Sequence, residues 1–308
     1  MYFNEYLKTC RENNALTQEE LVSELYNHDV KMFESLDTST YSRWERAVVK
    51  PKTSRQVSIL KYFQKRTGVA LPCWDQYSID ETEEIICKTG MNNLLGNSKE
   101  LVLNFPSATI GADDLHVYQL RNSDNMEKII SINLDMDKDF NHNTTHFQSE
   151  QFKEWALHPS SSFYVCEYKE QFFGLLFTLR LKPEVFERIM DLDIDEKDLS
   201  VNDFASFDEM GCNHMISFFA MSEKAASLLF IRYYAHLIAN QKFIIEVGLA
   251  TMMEDARKLI RNMNLHHYSS KIIEKGLELQ TYRETLPNFL ASQKVVKMIL
   301  SKQDCPEE

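Results

Sequence analysis

The chain has 308 residues, of which 44% are hydrophobic and 26% charged, and its formal net charge is −12. This length suits two domains. Because no apolar run is long enough to cross a bilayer, we expect no membrane association and a cytoplasmic location. Residues 1–17 are polar with mixed charge, unlike a signal peptide, and the six cysteines form no CxxC pair, so zinc knuckles and redox dithiols are not expected.

A small all-α domain is predicted over residues 1–95. Apolar residues recur at helical spacing, and Thr17 with Glu20 forms a capping box at one helix start. The predicted helices cover residues 2–13, begin at Thr17, Asp37 and Thr53, and end with a helix over 78–88 that Gly90 stops.

The helix that begins at Asp37 has two different faces. Tyr41, Trp44 and Val48 are predicted to face the core. The outward residues are Thr38, Ser39, Thr40, Ser42 and Arg43. Small hydroxyl side chains let a helix approach a groove closely, and a guanidinium can bond a guanine edge with two parallel hydrogen bonds. This face therefore favours contact with DNA.

Charge within this domain is asymmetric. Between Thr38 and Arg66 the chain has eight Lys or Arg residues and one acid, whereas residues 1–37 have three basic and eight acidic residues. Clustered cations are typical of a phosphate-binding face, although a solvated charged surface has the same composition. The helix pattern favours the phosphate-binding interpretation.

The segments LTQEELVSEL and TSTYSRWERAVVKPK resemble the Xre/Cro class of phage-repressor-type helix-turn-helix proteins, most specifically in the W-E pair and the K-P-K turn. The resemblance implies double-stranded DNA as a partner, with a phosphate contact near the first helix and base contacts on the second. The implied DNA-binding residues are Gln18, Thr38, Ser39, Thr40, Arg43, Arg46, Lys50 and Lys52. Two features depart from the family: the connection 26–36 is long, and Ala47 stands where glycine is usual.

A mixed α/β domain is predicted over residues 113–308, after a linker at 96–112. Strands are predicted at 115–120, 163–168, 172–181, 215–221, 243–250, 266–270 and 272–282, and helices at 124–134, 148–157, 223–239, 252–263 and 287–300. The polar segment 135–145 is predicted to be a loop. Residues 191–209, with eight acids and one lysine, are predicted to form an exposed excursion.

This order of elements is similar to the GNAT N-acetyltransferase fold over residues 113–286. The resemblance implies a glycine-rich loop after the fourth strand, which holds the coenzyme A pyrophosphate at a helix N-terminus. The corresponding residues, 221–226, contain no glycine and include Glu223. We therefore expect no coenzyme A, no other cofactor, no catalytic residues and no enzyme activity, although a cleft between splayed strands can hold another ligand.

No metal site is predicted. His142 and His146 are spaced i, i+4, but their FNHNTTH context is a poor helix without a third ligand. Asp135, Asp137 and Asp139 resemble the start of a calcium loop that lacks the glycine and the terminal glutamate. Both groups are expected to be solvated surface residues.

These patterns favour a sequence-specific DNA-binding transcriptional regulator. We expect a homodimer on a two-fold operator, with a GNAT-like domain that dimerises or senses an unidentified small-molecule or protein effector. The last helix offers an apolar stripe for the dimer: Phe289, Leu290, Val296, Ile299 and Leu300. The alternatives are a divergent acyltransferase carrying a helix-turn-helix targeting module, and a pure protein-interaction module such as an antitoxin.

Overall fold

The computed structural model describes residues 1–95, 114–140, 147–253, 256–257, 260, 263–273 and 276–300. The chain divides into two compact units. Unit 1 comprises Met1–Leu94, Tyr234–Gln241 and Pro287–Glu308, and unit 2 comprises Leu95–Tyr233 and Lys242–Leu286. The predicted linker, 96–112, lies outside the described residues, as do His142 and His146.

Twelve helices are named here among the described residues. They are α1 (Phe3–Asn13), α2 (Gln18–His28), α3 (Val30–Phe33), α4 (Thr38–Glu45), α5 (Thr53–Thr67), α6 (Ile79–Leu95), α7 (Met126–Phe140), α8 (Ser149–Leu157), α9 (Pro183–Met190), α10 (Glu223–Ala239), α11 (Leu286–Leu290) and α12 (Gln293–Leu300). The strands are β1 (His116–Gln119), β2 (Ser162–Tyr168), β3 (Gln171–Leu181), β4 (Gly211–Ala220), β5 (Ile244–Thr251), β6 (His266–Ile272) and β7 (Glu278–Thr285). Within the part of the chain that the structure describes, no helix is both long and apolar enough to span a membrane.

Two of the predicted helix starts in unit 1 are confirmed by their caps, whereas Thr53 does not cap α5, whose N-cap Lys52 makes no side-chain cap bond. Thr17 Oγ1 accepts the Glu20 N–H at 3.2 Å, and the Glu20 carboxylate accepts the Thr17 N–H at 2.7 Å. The Asp37 carboxylate accepts the Thr40 N–H at 2.6 Å and starts α4. These bonds satisfy backbone donors that a helix start leaves without an intrahelical partner.

The two unusual features of the helix-turn-helix-like segment have local explanations. The long connection contains α3, which begins where the Asp29 carboxylate accepts the Met32 N–H at 3.0 Å. Ala47 has a φ of 57°, a left-handed conformation that glycine adopts more easily. The prediction for Val48 is wrong: α4 ends at Glu45, and the Val48 side chain is 60% exposed.

The last helices of unit 1 differ from the prediction. Gly90 does not stop α6, because one glycine costs a helix only about 1 kcal/mol. The single predicted C-terminal helix is two helices, α11 and α12. The apolar stripe proposed for a dimer is buried within unit 1, where α12 packs on α5, so these side chains offer no exposed surface.

Unit 2 is built on a seven-stranded sheet with the order β1-β2-β3-β4-β5-β7-β6. β4 and β5 are parallel and are joined through α10, whereas the other neighbouring strands are antiparallel. The predicted mixed α/β sheet is thus confirmed. One face packs on α7, α8 and α9, and the rings of Phe218 and Phe230 meet at 4.6 Å where α10 packs on the other face.

Several predicted boundaries in unit 2 are wrong. α7 continues to Phe140 through part of the segment predicted as a loop, and α9 was not predicted, although Pro183 suits a first helical position. The acidic stretch is not a simple exposed excursion, since Leu199 and Phe204 pack into the core, and Glu196 and Asp203 are partly buried while its other six acids are exposed. The predicted helix over 252–263 falls partly on residues that are not described.

Candidate functional site

β4 and β5 separate partway along their length. Phe177 pairs with Ser217 and Thr178 with Met215, so Ile216 is an extra residue that bulges from β4. The register between β4 and β5 ends at the pair Met215–Leu249. β4 continues to Ala220 and β5 to Thr251, so both strands extend beyond the end of their shared register. We call this region the β4–β5 cleft, and residues 216–220 of β4 lie beyond the register with β5.

The residues at the separated strand ends are mainly apolar. Ile216, Phe218 and Phe219 on β4 are half-buried, as is Ala250 at the end of β5. The Phe219 ring stacks on Phe172 with a centroid distance of 6.1 Å and an interplanar angle of 8°. Apolar side chains beside a strand end that extends beyond its neighbour suit an extended ligand with a polar backbone and an apolar tail.

A histidine–carboxylate pair lies immediately before this separation. His214 on β4 is fully buried, and its Nε2 is 2.5 Å from Glu196 Oε1. Its Nδ1 is also buried and has no hydrogen-bond partner among the described residues. An imidazole that donates one N–H to a carboxylate keeps a basic lone pair on its other nitrogen. This is the arrangement of a general base held by an acidic partner.

Glycine on β5 lets the neighbouring strand and helix enclose this histidine. Gly248 is the register partner of His214, and a Cβ at Gly248 would lie 2.7 Å from Phe186 Cζ. The Phe186 ring of α9 packs edge-on to His214, with centroids 6.2 Å apart. A larger residue at this position would therefore displace the ring that covers the imidazole.

On the opposite face of β4, the side-chain amide of Asn213 forms hydrogen bonds within the core. Asn213 is fully buried, donates to Thr178 Oγ1 at 3.3 Å and accepts from Tyr233 Oη at 3.0 Å. These bonds join β3, β4 and α10. We assign Tyr233 a packing role because its hydroxyl is engaged inside the core.

The N-terminus of α10 uses its own side chain as a cap. Ser222 Oγ accepts the Ala225 N–H at 3.1 Å, and the Met221 N–H is donated to the Phe173 carbonyl at 2.8 Å. Both N–H groups are therefore engaged within the chain, and Glu223 adds a negative charge. That residues 221–226 do not hold a pyrophosphate stays a prediction.

The DNA-binding residues predicted from the sequence lie on unit 1. Thr38, Ser39, Arg43, Arg46, Lys50 and Lys52 are exposed, whereas Thr40 and Gln18 are partly buried. The exposed side chains of α4 and of the turn after it are thus accessible. Their contact with DNA stays a prediction.

Gln18 makes an internal bond that the sequence pattern does not indicate. Its Nε2 donates to Glu45 at 2.6 Å, and the same carboxylate accepts from Arg11 Nε at 2.6 Å and from Tyr41 Oη at 3.0 Å. Burial raises the pKa of Glu45, but the bonds from Arg11, Gln18 and Tyr41 outweigh burial and hold that pKa below its usual value. The Glu45 cluster, as we call these four residues, joins α1, α2 and α4.

Comparison with known proteins gives structural matches only. No family model matches the sequence, and no curated protein matches it. The matching solved structures include FeeM, an N-acyl amino acid synthase from uncultured soil microbes, which is 8% identical with a TM-score of 0.42. That match covers 61% of this chain and 97% of FeeM.

Two further matches also combine low sequence identity with coverage of nearly the whole matched chain. An acetyltransferase from Streptococcus agalactiae is 10% identical with a TM-score of 0.36, over 56% of this chain and 98% of that one. The C-terminal condensation domain of Ebony, in complex with beta-alanyl-dopamine, is 9% identical with a TM-score of 0.35, over 56% of this chain and 98% of that one. These three matches cover 56–61% of this chain.

These findings correct one expectation from the sequence. A chain without enzyme activity was expected because residues 221–226 lack the glycine-rich loop. The expectation is contradicted by these matches, which are named as an N-acyl amino acid synthase and acetyltransferases; those activities are the matched proteins' own. Loss of one phosphate-binding loop removes a recognition element for the nucleotide, and the β4–β5 cleft and the His214–Glu196 pair do not depend on that loop.

Proposed function

We propose that this chain is a GNAT-like acyltransferase that moves an acyl group from a thioester to an amine and carries a DNA-binding unit at its N-terminus. The separation of β4 from β5 after Ile216 is the observation that carries the proposal. We infer that the end of β4, beyond its register with β5, lies along an extended amide chain such as pantetheine, much as a sheet edge binds a peptide strand. The apolar side chains beside the edge suit the acyl group.

The proposed chemistry assigns a role to His214. Its Nδ1 accepts a proton from the attacking amine while the amine nitrogen bonds to the thioester carbonyl carbon. The carbon–sulfur bond then breaks, and the thiolate leaves and is protonated. Glu196 holds the imidazole and stabilises the positive charge that it acquires.

The donor is proposed to be recognised by its pantetheine arm and acyl chain. Because the N-terminus of α10 is capped by Ser222 and carries Glu223, a nucleotide pyrophosphate gains little there. We expect acyl-pantetheine and the matching acyl-coenzyme A to be used with kcat/KM values within about threefold of each other, since a nucleotide that is not bound contributes no transition-state stabilisation.

The experiment that tests the function uses purified full-length protein. Acyl-pantetheine thioesters, from acetyl to long-chain, are incubated with amino acids and other primary amines, and mass spectrometry follows the amide and the released thiol together. Equal amounts of amide and thiol support the proposal. Thiol release no faster than in protein-free controls, for every donor and amine, would refute it. Micromolar binding of acetyl-coenzyme A that disappears when residues 221–226 are replaced would refute the account of donor recognition.

For unit 1, we propose that α4 contacts base edges in the DNA major groove. Support comes from its exposed Thr38, Ser39 and Arg43, followed by the exposed cations Arg46, Lys50 and Lys52. This role belongs to the same chain as the acyltransferase and would direct the enzyme to particular DNA sites.

Arg43→Ala is expected to weaken binding to the preferred DNA site by about 1–3 kcal/mol and to relax the preference at one base pair. Lys50→Ala, as the comparison, should weaken binding evenly across sequences and reduce the salt dependence. Selection of bound DNA from a random pool, followed by titration at two salt concentrations, measures both effects. An unchanged sequence preference in Arg43→Ala would show that α4 does not read bases through this residue.

A further inference from the structure

Two cysteines that are far apart in sequence meet in unit 1. Cys10 lies on α1 and is fully buried, and Cys73 follows α5 and is partly exposed. Both are free thiols, and their Sγ atoms are 2.8 Å apart. That distance is shorter than the roughly 3.5–4.0 Å of an ordinary non-bonded contact, whereas a disulfide bond is about 2.05 Å long.

We propose that Cys10 and Cys73 are a reversible oxidation site, at which a low-molecular-weight disulfide such as oxidised glutathione converts the two thiols into one disulfide. The sequence pattern predicts no redox dithiol because it contains no CxxC pair. These cysteines are 63 positions apart in the sequence and are brought together where α1 meets the segment that follows α5. The proposal does not depend on acyl transfer or on DNA binding.

The two thiols are chemically unequal. The hydrogen bond with Cys10 lowers the pKa of Cys73, and the Asn13 amide, 3.7 Å from Cys73 Sγ, acts in the same direction against the opposing effect of burial. Burial raises the pKa of Cys10 well above its usual value. A partly exposed thiol with a lowered pKa beside a buried second thiol is the arrangement of a redox-sensing cysteine and its resolving partner.

The reaction proceeds in two exchange steps. The Cys73 thiolate attacks one sulfur of oxidised glutathione, which forms a mixed disulfide and releases one glutathione thiolate. Cys10 then gives up its proton and attacks Cys73 Sγ, which releases the second glutathione. In sum, two protein thiols are oxidised to one disulfide, and one glutathione disulfide is reduced to two thiols.

The bond would constrain the DNA-binding unit. Residues 10–73 form the closed loop, which contains α2, α3, α4 and α5. Closing a long loop restricts the unfolded chain and so stabilises the folded one. Cys10 also neighbours Arg11, which donates to Glu45 at the end of α4. Oxidation is therefore expected to raise the unfolding temperature of unit 1 by at least about 5 °C, and a reducing agent should reverse the change.

The test incubates the full-length protein in glutathione redox buffers, quenches it in acid, alkylates free thiols and maps the peptides by mass spectrometry. The expected result is a linked Cys10–Cys73 peptide, with the other cysteines alkylated. Cys10→Ala should accumulate glutathione on Cys73, and Cys73→Ser should accumulate none on Cys10. Cys87→Ser is the control, since burial raises the pKa of Cys87, which lies on α6, to about 11.

Two outcomes would overturn the proposal. One is a wild-type protein that stays fully alkylated at both positions in oxidising buffer. The other is a linked peptide that forms only in denaturant or that links other cysteines equally often. Since Cys10→Ala removes a buried side chain, the wild-type peptide map and the reversible shift in unfolding temperature decide the question even if that variant fails to fold.

Discussion

His214→Gln is expected to lower kcat for acyl transfer by roughly 100- to 10,000-fold, the usual contribution of a general base. Glutamine has a similar length and its amide can still donate to Glu196, but it has no basic nitrogen. The donor KM should change by less than about threefold, because the side chain is proposed to act on the proton of the amine and not on the donor.

The comparison variants separate chemistry from folding. Glu196→Gln should lower kcat less than His214→Gln does, since it weakens the orientation of the imidazole but leaves its nitrogen in place. His266→Gln, at an exposed histidine on β6, should match the wild type. Thermal unfolding of each variant shows whether the fold persists. A folded His214→Gln protein with wild-type kcat would exclude this histidine as the base.

Glu45→Ala is expected to lower the free energy of unfolding of unit 1 by about 3 kcal/mol. The Glu45 side chain is 5% exposed and accepts hydrogen bonds from Arg11, Gln18 and Tyr41. Its removal leaves the Arg11 guanidinium without its main partner in a site where water replaces the lost bonds only in part. The figure lies at the lower end of the range for buried pairs because the Arg11 side chain is 14% exposed.

The stabilisation by Glu45 should depend on pH in a defined direction. Its pKa in the folded protein is lowered, because the bonds from its partners outweigh burial. The contribution is therefore fully present above the unfolded pKa of about 4.3 and is lost as pH falls through the lower folded value. The difference in stability between wild type and Glu45→Gln should accordingly shrink below about pH 4.

Hydrogen exchange of α1 and α4, followed by mass spectrometry, measures the stability of unit 1 in the intact chain. Glu12→Ala is the matched control: its carboxylate also lies near Arg11, at 3.5 Å, but is 52% exposed. Removing an exposed pair should change stability by less than about 1 kcal/mol. Equal protection in Glu45→Ala and Glu12→Ala would mean that the Glu45 cluster does not stabilise unit 1.

Local patterns in the sequence determined much of the secondary structure. The capping box of Thr17 and Glu20 and the Asp37 cap mark helix starts correctly, because a cap bonds backbone groups within three residues. α10 matches its predicted bounds and β1, β2, β3 and β5 lie within one residue of theirs, whereas β4 begins four residues earlier and β7 six residues later than predicted. The mixed α/β class follows from the order of these elements, because strands that alternate with helices form a sheet flanked by helices.

Only the tertiary structure shows which side chains the candidate sites bring together. Cys10 and Cys73 meet across 63 residues, and Glu196 reaches His214 from an acidic stretch that suggests only a solvated surface. The separation of β4 from β5 follows from strand register, and no pattern within either strand specifies the register of its partner. Side chains that cooperate in a site are brought together by packing between distant segments, whereas sequence periodicity reports only which face of its own element a residue occupies.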